Sequence, residues 1–336
     1  MNTAPAKIWN IGITHLVTPP FDPEEAAFKS NAKFHFFDSR NEEYFDPELL
    51  AKLDAFLVWT TGITQQTIDH LKNCKILVRY GVGFDKIDIS ALTGAGIAFS
   101  NNPEYGPEDV ADTAMALLLS LQRKILLHDI GCRGYQDSWQ ENHLAPVHHS
   151  RRTTVGVVGV GRIGISVINR LKPFGYRVIG YDPFVSNGMF RAVGIERAHS
   201  IEELLGNVDA ITMHCPLTDD TRGIINKQTL SSAREGLILV NTARGKLISD
   251  LDIIESGLKS GQLAAVGLDV LPDEPPRDHP LIRAWKEQAD WVKGRLYITP
   301  HNAFYSDNSM YECRFNAAET ARLFLEQQVH RNSIAG

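Results

Sequence analysis

The sequence predicts an α/β protein of two doubly wound parallel sheets, from three features of its 336 residues. Short apolar runs alternate with amphipathic helical patterns, the signature of βαβ units. The alternation pauses after a long apolar segment over 107–130 and restarts at Thr153. A last helical segment opening at Ser306 is expected to return to the first domain. That return makes the first domain discontinuous and the second an insertion in it. The length itself suggests two cores rather than one.

In chain order, "KIWNIGITHL", "KFHFF", "AFLVWT", "KILVRYG" and "GIAFSNN" read as the strands of the first domain. Acidic openings such as "DPELLAKL" read as helix starts with Pro in the first turn. "PEDVADTAMALLLSLQRKILLHDI" reads as one continuous helix, too apolar for a wet face and so a domain or dimer core. The polar stretch "GCRGYQDSWQENHLAPVHHS" reads as a loop or arm. "TTVGVVGVG" and "YRVIGYDP" are then strands around the helix "RIGISVINRLKPFG". Further strands follow in "DAITMHCPL", "LILVNTARG", "LAAVGLDV" and "RLYITPHNAF", and "SDNSMYECRFNAAETARLFLEQQV" closes as a helix.

Composition narrows the function classes. An apolar fraction of 43%, a charged fraction of 22% and a net charge of -6 describe an ordinary globular chain and disfavour nucleic acid or an anionic membrane as a direct partner. No apolar stretch reaches the ~18 residues of a membrane span, and the N-terminus lacks a signal-peptide pattern. Cys74, Cys132, Cys215 and Cys313 are far apart with no C-x-x-C, so neither a disulfide framework nor a zinc knuckle is suggested. A reducing cytoplasm is the expected location. His148 and His149, with His143 nearby, lack carboxylate or cysteine companions, and no metal is expected.

Two groups of residues carry chemistry. Gly159-x-Gly161-x-x-Gly164 lies between a strand and a helix, with Asp182 at the end of the next strand. Gly159 suits a tight turn, Gly161 the approach of a pyrophosphate, and Gly164 close packing of helix on strand. The helix N-terminus behind them favours that phosphate. Asp182 is placed to accept from both ribose hydroxyls and to repel a 2'-phosphate, which favours NAD over NADP. The second group is Arg244, Glu274 and His301, each following an apolar strand of the second domain. In doubly wound sheets ligands sit outside the carboxyl ends of the strands, so the three should converge. They supply a cation for a carboxylate or carbonyl oxygen, an orienting carboxylate and a proton carrier. Gly245 after Arg244 is read as permitting a sharp turn.

"GVGRIG", "VNTARG", "GLDVLPDEP" and "TPHNA", in this order and spacing, resemble the D-isomer-specific 2-hydroxyacid dehydrogenases. "RYGVGFDKIDI" and "HCPLTDDTRGIIN" extend the resemblance over nearly the whole chain, towards the C-terminal-binding protein and phosphoglycerate dehydrogenase branches. It implies a Rossmann-like NAD-binding domain over 107–303 inserted into a flavodoxin-like substrate domain over 1–106 and 304–336. It implies that His301 protonates the keto oxygen of a small 2-keto acid, that Glu274 holds the imidazole, and that Arg244 grips the substrate. NAD contacts fall to Gly159, Gly161, Arg162, Ile163, Gly164, Asp182, Cys215, Pro216, Thr221, Thr242, Ala243, Asp269 and His301. Substrate contacts fall to Arg79, Tyr80, Val82, Gly83 and Phe304, with the Tyr80–Gly83 loop offering backbone N–H groups. A homodimer is implied as well. Glu274 separates the chain from formate dehydrogenases of the family, where glutamine stands in its place, and so argues for proton-coupled keto/hydroxy interconversion. The same resemblance carries a second reading, an NADH-sensing, corepressor-like binding protein.

Overall fold

The computed structural model describes residues 7–134, 139 and 147–334, so most of the polar arm after the long apolar helix lies outside the described residues. Backbone contacts divide the chain into two compact units, Met1–Gly106 with Ser306–Gly336, and Pro107–Tyr305.

In the first unit β1 (Trp9–Thr14), β2 (Ala32–Phe37), β3 (Ala55–Val58), β4 (Ile76–Arg79) and β5 (Ala98–Ser100) form one parallel sheet in the order β2-β1-β3-β4-β5. This is the flavodoxin-like order, which reverses direction between β1 and β3. All of β3 and the first three residues of β4 are buried, as strands covered on both faces must be. Asp46, Thr64 and Asp88 cap the short helices by accepting from Glu48, Gln66 and Ala91 N–H. The helix expected over "DPELLAKL" is a single turn, Pro47–Leu50, that tightens through Lys52 N–H to Leu49 and Leu53 N–H to Leu50. Tightening buries Leu50 and Leu53 together in the core.

The second unit holds β6 (Thr154–Val158), β7 (Arg177–Tyr181), β8 (Glu196–Arg197), β9 (Ala210–Met213), β10 (Leu237–Asn241), β11 (Leu263–Leu268) and β12 (Leu296–Ile298). They make one seven-stranded parallel sheet ordered β12-β11-β10-β9-β6-β7-β8. The order reverses between β6 and β9, whose residues are buried throughout, so the ligand crevice of this sheet is expected at their carboxyl ends. The helix read as continuous over 107–130 is two, Pro107–Gln122 and Ile125–Cys132, broken at Lys124 with φ +53°. The first buries Ala111, Ala114, Leu117, Leu118 and Leu121, whereas the second buries none of its residues. Lys is a good helix former, so periodicity alone reads straight through it.

One charge in the first unit is held away from water. Glu24, in the helix Asp22–Phe28, is fully buried and receives Arg314 through Nε at 2.9 Å and Nη2 at 2.7 Å. The phenol of Tyr80, itself fully buried, donates to Glu24 Oε1 at 3.0 Å. Arg314 lies on the helix Asp307–Gln327, which starts with a reciprocal capping box between Ser306 and Ser309. Removing one partner of a buried pair strands the other. Glu24→Ala is therefore expected to lower stability by roughly 3 kcal/mol, read as a lower urea midpoint at unchanged slope. An unchanged midpoint would show that the pair is energetically idle.

Candidate active site

The glycine turn after β6 is dictated by contacts that a side chain would break. Gly159 has φ +93°, and a Cβ there would lie 2.6 Å from Cys215 N. At Gly164 a Cβ would lie 2.0 Å from Gly159 O, so helix Arg162–Leu171 seats on the strand only with glycine. At Gly161 a Cβ would meet nothing within 4 Å. Packing does not require glycine at that position, whereas a phosphate approaching the uncapped helix N-terminus does. Asp182, just past β7, accepts from Val160 N at 2.9 Å and from Phe184 N at 3.0 Å. Its carboxylate is thereby pinned beside the glycine turn, and Arg197 Nη2 holds its carbonyl at 3.2 Å. Arg177 is engaged with Glu196 in an exposed ion pair.

The segments after β9 and β10 complete this edge. Burial pushes the Cys215 thiol up to about 12, so it is a packing group and no nucleophile. Thr221 Oγ1 donates to Pro216 O at 2.7 Å, closing the loop after β9. His214 carries no motif signal in the sequence; burial lowers its pKa to about 3, and its Nε2 lies 2.8 Å from Thr212 Oγ1. Thr242 Oγ1 is buried with no partner among the described residues, an orphan of the kind a bound ligand satisfies. Orphan, open glycine and pinned carboxylate together fit a dinucleotide.

Asn241, the last residue of β10, shapes the turn that delivers Arg244. Its side chain accepts from Ala243 N at 3.0 Å and donates to Arg244 O at 2.9 Å. The Arg244 guanidinium folds back on Ala243 O at 2.7 Å. Gly245 is needed for a reason other than a turn: its φ is not positive, and a Cβ would sit 2.0 Å from Leu271 C. Close approach of the segment after β11 excludes any side chain. That segment carries Glu274, whose Oε1 accepts from Leu271 N at 2.9 Å and whose Oε2 lies 2.7 Å from His301 Nδ1. Burial opposes ionisation of Glu274, yet its bond to His301, the His301 and Arg244 charges and the Leu271 amide together hold the carboxyl below its usual range.

His301 adopts φ +54°, an unfavourable backbone for a non-glycine residue. Asp269, only 2% exposed, sustains it by accepting from Thr299 Oγ1 at 2.6 Å, Asn302 N at 3.0 Å and Ala303 N at 3.0 Å, while its carbonyl takes His301 N. The carboxylate that the resemblance gives to the cofactor also serves this turn. Because a carboxylate only accepts, the Glu274 contact puts the proton on Nδ1 and leaves Nε2 as the working nitrogen. Among the described residues nothing bonds Nε2, and the side chain is 41% exposed.

In the first unit the loop after β4 departs from expectation at one residue. Tyr80 N–H bonds Val58 O at 2.9 Å and its side chain is buried, so Tyr80 offers no amide to a ligand. The amides of Gly81, Val82 and Gly83 donate to no acceptor among the described residues. Arg79 lies beside the first of them, its Nη1 3.2 Å from where a Gly81 Cβ would be. Successive open amides beside a guanidinium make an anion-binding turn. Phe304 is half-buried, next to Ala303 at the Asp269 turn.

Residues 115–303 match the D-isomer specific 2-hydroxyacid dehydrogenase, NAD binding domain. The chain is 33% identical to D-3-phosphoglycerate dehydrogenase of Methanocaldococcus jannaschii over 85% of its own length and 53% of the relative's. It is 31% identical to C-terminal-binding protein 1 of Caenorhabditis elegans over 89% of its length and 41% of the relative's. The chain spans about half the length of the curated relatives it matches. Among solved structures, D-lactate dehydrogenase from Aquifex aeolicus, complexed with NAD and lactic acid, superposes with TM-score 0.84 at 26% identity, covering 97% of this chain and 99% of that one. A glyoxylate reductase from Paecilomyes thermophila gives TM-score 0.83 at 25% identity over 98% and 99%.

Asp182→Asn keeps one acceptor for the backbone and removes the charge. It is expected to shift the ratio of NADH to NADPH affinity towards NADPH by about tenfold or more, measured by fluorescence titration with both dinucleotides. An unchanged ratio would move the discrimination to another residue.

Proposed function

The chain belongs to the D-isomer-specific 2-hydroxyacid dehydrogenase family, and we propose that it interconverts a small 2-keto acid and the D-2-hydroxy acid with NAD. The observation that carries this reading is the His301–Glu274 pair, at 2.7 Å with Nε2 open. When bound, NADH supplies the hydride to the keto carbon. His301 Nε2 then gives its proton to the oxygen, and Glu274 keeps the ring in the donating orientation. Arg244 offsets charge growing on that oxygen, a term typically worth a few kcal/mol. The open amides of Gly81, Val82 and Gly83, with Arg79, suit the substrate carboxylate. In the reverse direction neutral His301 takes the hydroxyl proton as base. Glu274 supports the keto/hydroxy reaction over formate oxidation, because only the former passes a proton through the histidine.

A homodimer belongs to the same proposal. It is supported by the helix Ile125–Cys132, which buries no residue and leaves Ile125 57% and Leu126 38% exposed. Sedimentation at twice 37.4 kDa is the expected result, and a 37.4 kDa species would exclude it. No helix among the described residues is long and apolar enough to cross a membrane.

The deciding test is loss of NADH absorbance across 2-keto acids of graded size and polarity, from glyoxylate and pyruvate to phenylpyruvate. At least one is expected to be turned over, and His301→Ala to cut kcat about 10²-fold or more with NADH affinity retained. Wild-type turnover in that variant would remove His301 from the acid's role. Tight NADH binding with no keto acid reduced would instead favour the NADH-sensing, corepressor-like reading.

A further inference from the structure

We infer that Asn101, Asn102 and Cys313 are positioning residues that preset the turn Gly81–Gly83 as a carboxylate receptor, an assignment that rests on the 2-keto acid reading above. Each carbonyl leading into those amides is tied down by a different donor. Cys313 Sγ donates to Tyr80 O at 3.1 Å, Asn102 N to Gly81 O at 3.3 Å, and Asn101 Nδ2 to Val82 O at 2.7 Å. Across a trans peptide the C=O of one residue and the N–H of the next point in opposite directions. Fixing the carbonyls of residues 80, 81 and 82 therefore turns the N–H groups of 81, 82 and 83 each away from the donor that holds its own peptide. Those are the three amides that find no acceptor among the described residues.

The anchors are themselves cross-braced. Asn102 Nδ2 donates to Cys313 O at 2.9 Å, joining the segment after β5 to the helix Asp307–Gln327. Asn101, Asn102 and Cys313 are all buried, at 6%, 3% and 0% exposure. Upstream, the buried Tyr80 amide and phenol are fixed to Val58 and Glu24, so the turn enters from a rigid point. Burial also raises the Cys313 pKa, so the thiol keeps the proton it donates. The turn is organised before a ligand arrives, and affinity for an anion then carries little ordering cost.

A carboxylate is held alike in ground and transition states, so loosening the turn raises KM and leaves kcat in place. The test uses the full chain saturated with NADH, with oxamate as an unreactive carboxylate probe alongside the 2-keto acid assay. Asn101→Ala and Cys313→Ala are each expected to weaken oxamate binding and raise the keto-acid KM by about tenfold, with kcat and NADH affinity unmoved. Cys313→Ser, whose hydroxyl can still donate, is expected to recover most of the loss. A lower melting temperature with KM and oxamate affinity unchanged would reduce these residues to structural braces and overturn the assignment. A fall in kcat at constant KM would overturn it equally. If Asn101→Ala does not fold, the two Cys313 variants decide. Oxamate binding that Asn101→Ala weakens, in a protein that reduces no keto acid, would sink the proposed reaction and leave the receptor assignment standing. Normal turnover with Asn101→Ala indistinguishable from wild type would do the reverse, and a wild type that binds no oxamate would end the assignment.

Discussion

A parallel strand buried on both faces can place polar chemistry only at its ends, and this constraint organises the protein. β3, β6 and β9 are buried along their whole length, and the charged groups of the second unit's candidate site all come after a strand's last residue. Asp182 follows β7, Arg244 follows β10, Glu274 follows β11 and His301 follows β12. Parallel alignment brings those ends to one edge of the sheet, which is why residues distant in sequence share one chemistry. The first unit obeys the same rule, with Arg79 closing β4 and the open amides directly after it.

At that edge the backbone does as much as the side chains. Gly159 and Gly164 let a turn, a strand and a helix touch, and Gly245 admits the segment that carries Glu274. Asn241 and Asp269 bend their loops by accepting from backbone N–H two and more than thirty residues away. Held this way, His301 retains a left-handed backbone that an isolated peptide would rarely populate. Such strain is common where a loop must aim one group, and the buried carboxylate of Asp269 supplies the restraint.

Much of this was legible in sequence, because strands and their exits are local. The apolar runs marked both sheets, and the glycine spacing marked the phosphate turn. What escaped reading depends on long-range partners. That Asp269 also braces the histidine turn is invisible until Thr299, Asn302 and Ala303 are seen on it. Tyr80 N–H looks available until β3 takes it. Cys313 bonds Tyr80 across 233 positions, and no spacing rule reaches so far. Gly245 reads as a turn residue because sequence cannot show that Leu271 C comes within 2.0 Å of an imagined Cβ. The break at Lys124 is hidden for a different reason: lysine favours the helix, and only the loss of burial beyond it marks where the helix stops.

The Glu24–Arg314 pair spans 290 positions, and the whole second unit lies between its members. On the ribosome, then, the unit begun first is finished only after the one inserted in it. When Glu24 is made its countercharge is still some 290 codons away, and the face of β3 and β4 that the final helix covers has no cover either. The inserted unit is contiguous and can close as soon as it emerges. Synthesis therefore imposes an order that the finished molecule conceals, with a complete domain folding inside one that is still waiting for its last helix.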